Sequence, residues 1–141
     1  MILYIDTSIL VAAHTGEART ANIQAWLGKR SAATLAISDW VIAEFSAALS
    51  KKQRVGEIDG AYRAYALAEF KRVTVPSMEV LEIRSSDFRT AAHYADQYAT
   101  GLRAGDALHL AIAYGHAASL HTLDERLAKA GLALGVRTVL L

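Results

Sequence analysis

Cysteine is absent from the 141-residue chain. That removes disulfides and thiolate metal sites, zinc ribbons among them, and makes a reducing cytoplasm the natural setting. Long hydrophobic runs are missing as well. No apolar stretch approaches the roughly 20 residues needed to cross a bilayer, so no membrane segment is expected. The apolar N-terminal run has no basic segment before it and is cut by Asp6, so it does not read as a secretory signal. Proline occurs once, at Pro76, and no linker, repeat or low-complexity stretch interrupts the chain. Residues 1–141 are therefore expected to form a single domain. Neither a Gly-x-Gly-x-x-Gly fingerprint nor a phosphate-binding loop is present, which leaves nucleotide-cofactor enzymes without support. Net charge is nearly missing too: 15 basic and 14 acidic residues give +1.

What is present is a chain that is 53% hydrophobic, ample for one core. The apolar residues Ile2 to Ile5 run straight into Asp6-Thr7-Ser8. This reads as a short strand, buried on both faces, that delivers a carboxylate to its own C-terminal end. In an open parallel sheet that end is where ligands bind. Ile9 to Ala13 continue apolar to a turn near Thr15-Gly16. Thr20 to Arg30 holds Ile23, Trp26 and Leu27 at helical spacing, and Leu35 to Ile37 reads as a strand. A helix capped by Ser38 or Asp39 then carries Val41, Ile42, Phe45, Ala48 and Leu49 as far as Lys51-Lys52.

A third helix is expected over roughly Asp59 to Arg72, with its aromatics Tyr62, Tyr65 and Phe70 read first as core and otherwise as a partner surface. Val73 to Pro76 fits either a helix exit or a brief strand. Val80 to Ile83 is the better strand. One helix follows from the Ser85-Ser86-Asp87 cap to about Tyr98, and another, apolar nearly all round, from Asp106 to about His116. Ser119 to Thr122 is a strand, Asp124 to Ala130 a helix, and Val136 to Leu141 a last strand. Strands alternate with helices throughout, which predicts an α/β fold of three layers, an α/β/α sandwich around a parallel sheet.

Four acids stand out by position. Asp6 ends the first strand, Glu44 sits mid-helix beside the core-facing stripe of Val41, Phe45 and Ala48, Asp106 opens the apolar helix, and Asp124 follows the strand ending at Thr122. Helix capping is the ordinary alternative for Asp106 and Asp124, and Asp87 is read only as a cap. If the four converge, two carboxylates about 4 Å apart repel by ~4 kcal/mol at an effective dielectric near 20, which protons or a cation must offset. An oxygen-only ligand set suits Mg2+ or Mn2+ better than zinc. Sequestering four acids would also leave the remaining surface about five positive charges in excess, which suits a polyanion, although the total is equally compatible with an ordinary balanced surface. The hydroxyls of Thr7, Ser8 and Thr122 lie next to the acids and are candidates to orient them, with turn hydrogen bonding as the alternative. His109 shares a helical face with Asp106, but is read first as a core histidine satisfied by backbone; His14, His93, His116 and His121 show no ligand spacing.

The segments YIDTSILVAA, SDWVIAEFSAAL, LRAGDALHLAIA and LHTLDERLAKAG, in this order and spacing, make the chain resemble the PIN-domain ribonucleases, and among them the VapC-type toxins of toxin–antitoxin pairs. The resemblance implies a five-stranded parallel sheet and a Mg2+- or Mn2+-dependent endoribonuclease site. Asp6, Glu44, Asp106 and Asp124 take its acidic, metal-binding and catalytic positions, and Thr122 its accompanying hydroxyl position. It further implies RNA as substrate, a homodimer, and a VapB-type antitoxin whose tail blocks the acids in a hetero-oligomer. Arg103 and the Lys51-Lys52-Arg54 cluster are candidates for phosphate contact, a solvated helix end being the preferred reading of Lys51 and Lys52. Trp26, Trp40, Tyr62 and Tyr65 are candidates for the antitoxin contact, with core burial preferred for both tryptophans. Gly56 to Glu79 carries no motif of the family.

Two rivals share the opening strand and its aspartate. Phosphatases of the haloacid dehalogenase type need a second aspartate two residues on, where this chain has Ser8, and receiver domains need an acidic pair and a late lysine that are not found. The remaining alternative is a noncatalytic PIN-like module that binds RNA or a protein partner without cutting.

Overall fold

A computed structural model describes residues 1–30 and 34–141. Its frame is a wholly parallel five-stranded sheet of β1 (Leu3–Ile5), β2 (Leu35–Ser38), β3 (Glu79–Leu81), β4 (Ser119–Thr122) and β5 (Thr138–Leu140), in the order β3-β2-β1-β4-β5. β1 is central: Tyr4 faces Ala36 on one side and Leu120 on the other. A strand in that place is covered on both faces, which is why its sequence is an apolar run and not an alternation.

The described residues form seven α-helices: α1 (Thr7–His14), α2 (Thr20–Gly28), α3 (Asp39–Arg54), α4 (Gly60–Glu69), α5 (Ser85–Ala95), α6 (Ala104–Gly115) and α7 (Glu125–Ala133). The strand order runs outward from β1 to β3 and then returns past β1 to β4 and β5. Right-handed crossovers therefore place α1 to α4 on one face and α5 to α7 on the other. The packing follows: α1 lies against α2 and α3, α3 against α4, α5 against α6, and α7 against β4 and β5. The direction of winding reverses between β1 and β4, and the crevice at such a switch opens at the C-terminal ends of the strands.

The apolar stretch Ile9 to Ala13 is helical, because the Asp6 side chain caps α1 directly at the end of β1. Ser38 does the same for α3, accepting from the Val41 amide. The helix expected as far as Arg72 departs from α geometry earlier, after Glu69, into one turn of π-helix at Phe70–Thr74 and a 3-10 turn at Val75–Ser77. Val73 to Pro76 is thus a helix exit. Its aromatics divide: Phe70 is buried and stacks on Phe45 at 3.8 Å, whereas Tyr65 is 65% exposed and Tyr62 is exposed as well, so the core assignment holds for Phe70 alone. Trp26 and Trp40 are partly buried against the core. The helix after Ser85 ends at Ala95, three residues before the 3-10 turn at Tyr98, and the last strand is confined to Thr138–Leu140. Among the described residues no helix is long and apolar enough to cross a membrane.

Packing leaves no room for a side chain on Gly131, where α7 meets β5. A Cβ on Gly131 would lie 2.1 Å from the Thr138 hydroxyl and 3.0 Å from a Leu110 methyl. Alanine there gains up to about 1 kcal/mol of helix propensity but overpacks a filled interior at about 1–3 kcal/mol. Gly131→Ala should lower the denaturant midpoint, and adding Thr138→Ala should recover part of the loss; urea unfolding followed by circular dichroism measures both.

Candidate active site

The crevice is built from the first and last turns of the elements that meet at the β1–β4 seam. Asp6 is only 4% exposed. Its backbone N–H still belongs to the ladder, donating to the His121 carbonyl at 3.1 Å. Its side chain is enclosed by donors: the Ser8 hydroxyl reaches Oδ1 and the Thr122 hydroxyl reaches Oδ2, each at 2.6 Å, and the Ile9 amide lies 3.4 Å from Oδ1. Both hydroxyls are held in turn as acceptors, Ser8 by the Leu123 amide at 3.0 Å and Thr122 by the Asp124 amide at 2.9 Å. Each hydroxyl has one proton, so with both spent on Asp6 the 3.4 Å contact between Ser8 and Thr122 carries none. Burial pushes the Asp6 carboxyl up from its usual range, against the Ser8 and Thr122 hydrogen bonds that favour the ionised form.

Glu44 is half-buried on the second turn of α3. Its Oε1 accepts from the Thr7 hydroxyl at 2.6 Å and contacts Nε2 of His109. Burial alone would raise this carboxyl, but the hydrogen bond and charge of His109, helped by Thr7, hold it below the ordinary carboxylate range. His109 is 2% exposed, yet among the described residues no backbone group satisfies its ring. Nδ1 lies 3.0 Å from the Tyr4 hydroxyl, which lies 2.7 Å from the Ser38 hydroxyl. The expectation of a backbone-satisfied core histidine is corrected: among the described residues the ring is satisfied by side chains, and it joins β1 and β2 to Glu44. Burial pushes the Tyr4 phenol up, so it stays a neutral hydroxyl.

Asp106 differs from both. It lies in the first turn of α6 but caps nothing; the cap position is Arg103, whose side chain makes no capping bond. Among the described residues no donor reaches the Asp106 carboxylate. Burial raises its pKa first, the facing Asp124 second, and Glu44 adds to the rise, with His109 and Arg126 opposing. Asp124 does cap, its Oδ1 accepting from the amides of Arg126 and Leu127 at 2.9 and 3.2 Å. The remaining cationic candidates separate. Lys52 is paired with Glu17 and Glu57 at 3.4 and 3.0 Å, as a solvated helix end would be. Arg103 is exposed at the start of α6. Arg126, which the sequence reading passed over, is fixed at 3.0 Å to the Gly101 carbonyl and bears on Asp106.

The four acids are linked electrostatically, Asp106 to Asp124 and Glu44, and Asp6 and Glu44 each to His109, and Glu44 does not point into bulk solvent. They are not drawn into a closed cage: among the described residues no three His, Cys, Asp or Glu side chains stand close enough to hold a metal ion. The fit with a divalent cation lies in the chemistry of the donor set. Every available ligand is a carboxylate or hydroxyl oxygen, and Asp106 faces like charge with no donor to offset it, the state a hard cation relieves.

A family model described as PIN domain matches residues 3–132. The fold is similar to that of the protein PAE2754 from Pyrobaculum aerophilum, at 26% identity over 92% of this chain and 84% of that one, with a TM-score of 0.65. It is similar also to VapC20 of Mycobacterium tuberculosis, described as a sarcin-ricin loop cleaving toxin (16% identity, 92% and 95% coverage, TM-score 0.69). VapBC2 from Rickettsia felis, solved on a DNA fragment from its promoter, matches with 17% identity, 100% and 99% coverage and a TM-score of 0.70. Among curated proteins none matches the sequence.

The uncompensated charge on Asp106 predicts a pH-dependent effect. A carboxyl whose pKa is higher folded than unfolded favours folding while protonated, and that contribution is lost as pH rises from the unfolded value through the folded one. In EDTA, Asp106→Asn should match the wild type in stability at low pH and exceed it increasingly across that window, as thermal melts at stepped pH will register; a large loss at neutral pH would mark Asp106 as structural.

Proposed function

Because the chain belongs to the PIN-domain family, we propose that it is a divalent-metal-dependent endoribonuclease acting as the toxin of a VapBC-type toxin–antitoxin pair, with residues 1–141 working as one domain in the cytoplasm. The observation that carries the reading is the asymmetry of the crevice: Asp6 and Glu44 are fixed by donors, while Asp106 faces Glu44 and Asp124 with none. Structural likeness to a toxin named for cleaving the sarcin-ricin loop and to VapBC complexes supports the substrate class and the partner.

On this reading Asp6, Glu44 and Asp106 hold the ion, Mg2+ or Mn2+, and Asp124 completes the site. When bound, the cation supplies Lewis acidity toward a phosphodiester and lowers the pKa of water. The chain's own residues do the rest. Ser8 and Thr122 keep both Asp6 oxygens in place, Thr7 keeps Glu44 turned toward the crevice, and Asp124 stays tied to the start of α7. Arg103 and Arg126 stand on the rim, where a guanidinium can take a phosphate oxygen of the RNA. A VapB-type antitoxin would hold the toxin inactive in a hetero-oligomer built on a homodimer.

A noncatalytic PIN-like module is the second reading, favoured by the open arrangement of the acids. Incubating the protein with structured and single-stranded RNA separates the two. Cleavage with Mg2+ or Mn2+ should vanish in EDTA and fall by at least about 100-fold in Asp6→Asn, since loss of even an outer-shell contact costs 10–100-fold. No cleavage under any metal would favour the binding module, and cleavage indifferent to both controls would sink the nuclease assignment.

A further inference from the structure

We propose that His109 is a positioning residue, which through Tyr4 and Ser38 fixes which oxygen of Glu44 is offered to the cation. The inference rests on the nuclease reading, in that it takes Glu44 as a ligand, and adds to it a set of residues that touch neither ion nor RNA.

The hydrogen-bond accounting sets a direction. Ionised Glu44 has no proton to give, so the contact with His109 requires the proton on Nε2. In the neutral ring Nδ1 is then an acceptor, and the hydroxyl that lies against it is that of Tyr4, at 3.0 Å. With its proton given to His109, the Tyr4 oxygen accepts from Ser38 at 2.7 Å. Ser38 accepts in turn from the Val41 amide at 3.4 Å, the bond that starts α3 and so sets where Glu44 begins. Every member but Glu44 is nearly or fully buried, with Tyr4 and Ser38 at 0% exposure, so the order of donors has no competition from solvent.

The result at Glu44 is one occupied and one open oxygen. Oε1 takes both donors, His109 and the Thr7 hydroxyl. Among the described residues Oε2 takes none, and it lies on the side of α6, where a Cβ on Gly105 would come within 3.4 Å of it. Glycine leaves that space clear beside Asp106. Metal-site carboxylates are commonly held by such outer partners, whose loss costs about 10–100-fold in metal affinity or activity.

The experiment uses the full-length protein and Mn2+ as probe, read by calorimetric titration with thermal melts in EDTA alongside. His109→Leu should weaken Mn2+ binding by about 10–100-fold, and Tyr4→Phe should weaken it by a smaller factor. In His109→Gln the amide nitrogen can take the place of Nε2, so affinity should return most of the way to wild type; recovery by this one variant is what a merely structural histidine would not show. A fold-independent readout comes from the wild type: long-range proton–nitrogen NMR should find the His109 Nε2 protonated. A bare Nε2, or wild-type affinity in a folded His109→Leu, overturns the positioning role. A wild type that binds no Mn2+ overturns the nuclease reading first, and this inference with it, a result distinct from the other two.

Discussion

A carboxylate at the end of a central strand has to be taken out of water, and the seam between β1 and β4 is arranged around that cost. Isolated burial of an ionised group is prohibitive, whereas each hydrogen bond to a charged group contributes about 1.5–3 kcal/mol. Asp6 receives two short hydroxyl bonds and a longer amide contact, one of the hydroxyls from its own helix and the other from β4. Strand pairing alone would align β1 with β4. The Thr122 bond further ties their C-terminal ends together at the side-chain level, and through the Asp124 amide it also sets where α7 begins. The same contacts thus close the sheet and shape the crevice.

Asp6, Glu44 and Asp106 are held to different degrees. Asp6 has both oxygens bound, Glu44 one, Asp106 neither. A site with all its ligands bare would repel itself and open; one with all of them satisfied would have no affinity left for an ion. The graded arrangement lets the fold stand without metal, since only one acid is left uncompensated, and concentrates the unrelieved charge where an arriving cation gains most from neutralising it. Arg126 offsets that charge without removing it.

The alternation of strands and helices, the parallel sheet and the C-terminal placement of the acids were all legible in the sequence, because buried strands and amphipathic helices differ in period. Asp6 and Glu44 could be singled out for the same reason: each is a charge interrupting an apolar pattern. Capping, an ordinary role for an acid at a helix start, was separable from the site only in three dimensions; Asp124 does cap, and Asp106 does not. His109 was misjudged because its partners lie 65 and 105 residues away, on α3 and β1, and a hydroxyl on Tyr4 looks like one more buried aromatic within an apolar run. Arg126 carried the one usable hint, its position two residues after Asp124. The break at Phe70 had no signal in composition, since Phe-Lys-Arg-Val-Thr is compatible with continued α-helix and yields to tertiary packing against Phe45.

An acidic crevice should repel RNA, and the resolution lies in how the helices are aimed. α1, α3, α6 and α7 all begin at the C-terminal edge of the sheet, so their positive ends converge on it. Three of those ends are claimed by side-chain caps, from Asp6, Ser38 and Asp124. The start of α6 is not, and it carries Arg103 beside it, with Arg126 of α7 bound to the Gly101 carbonyl just before it. Once the carboxylates are neutralised, the charge that remains at this edge is positive and lies next to Asp106. On the nuclease reading, a bound metal ion would also lower the negative charge of the edge the RNA approaches, so substrate affinity and metal occupancy would be coupled through electrostatics.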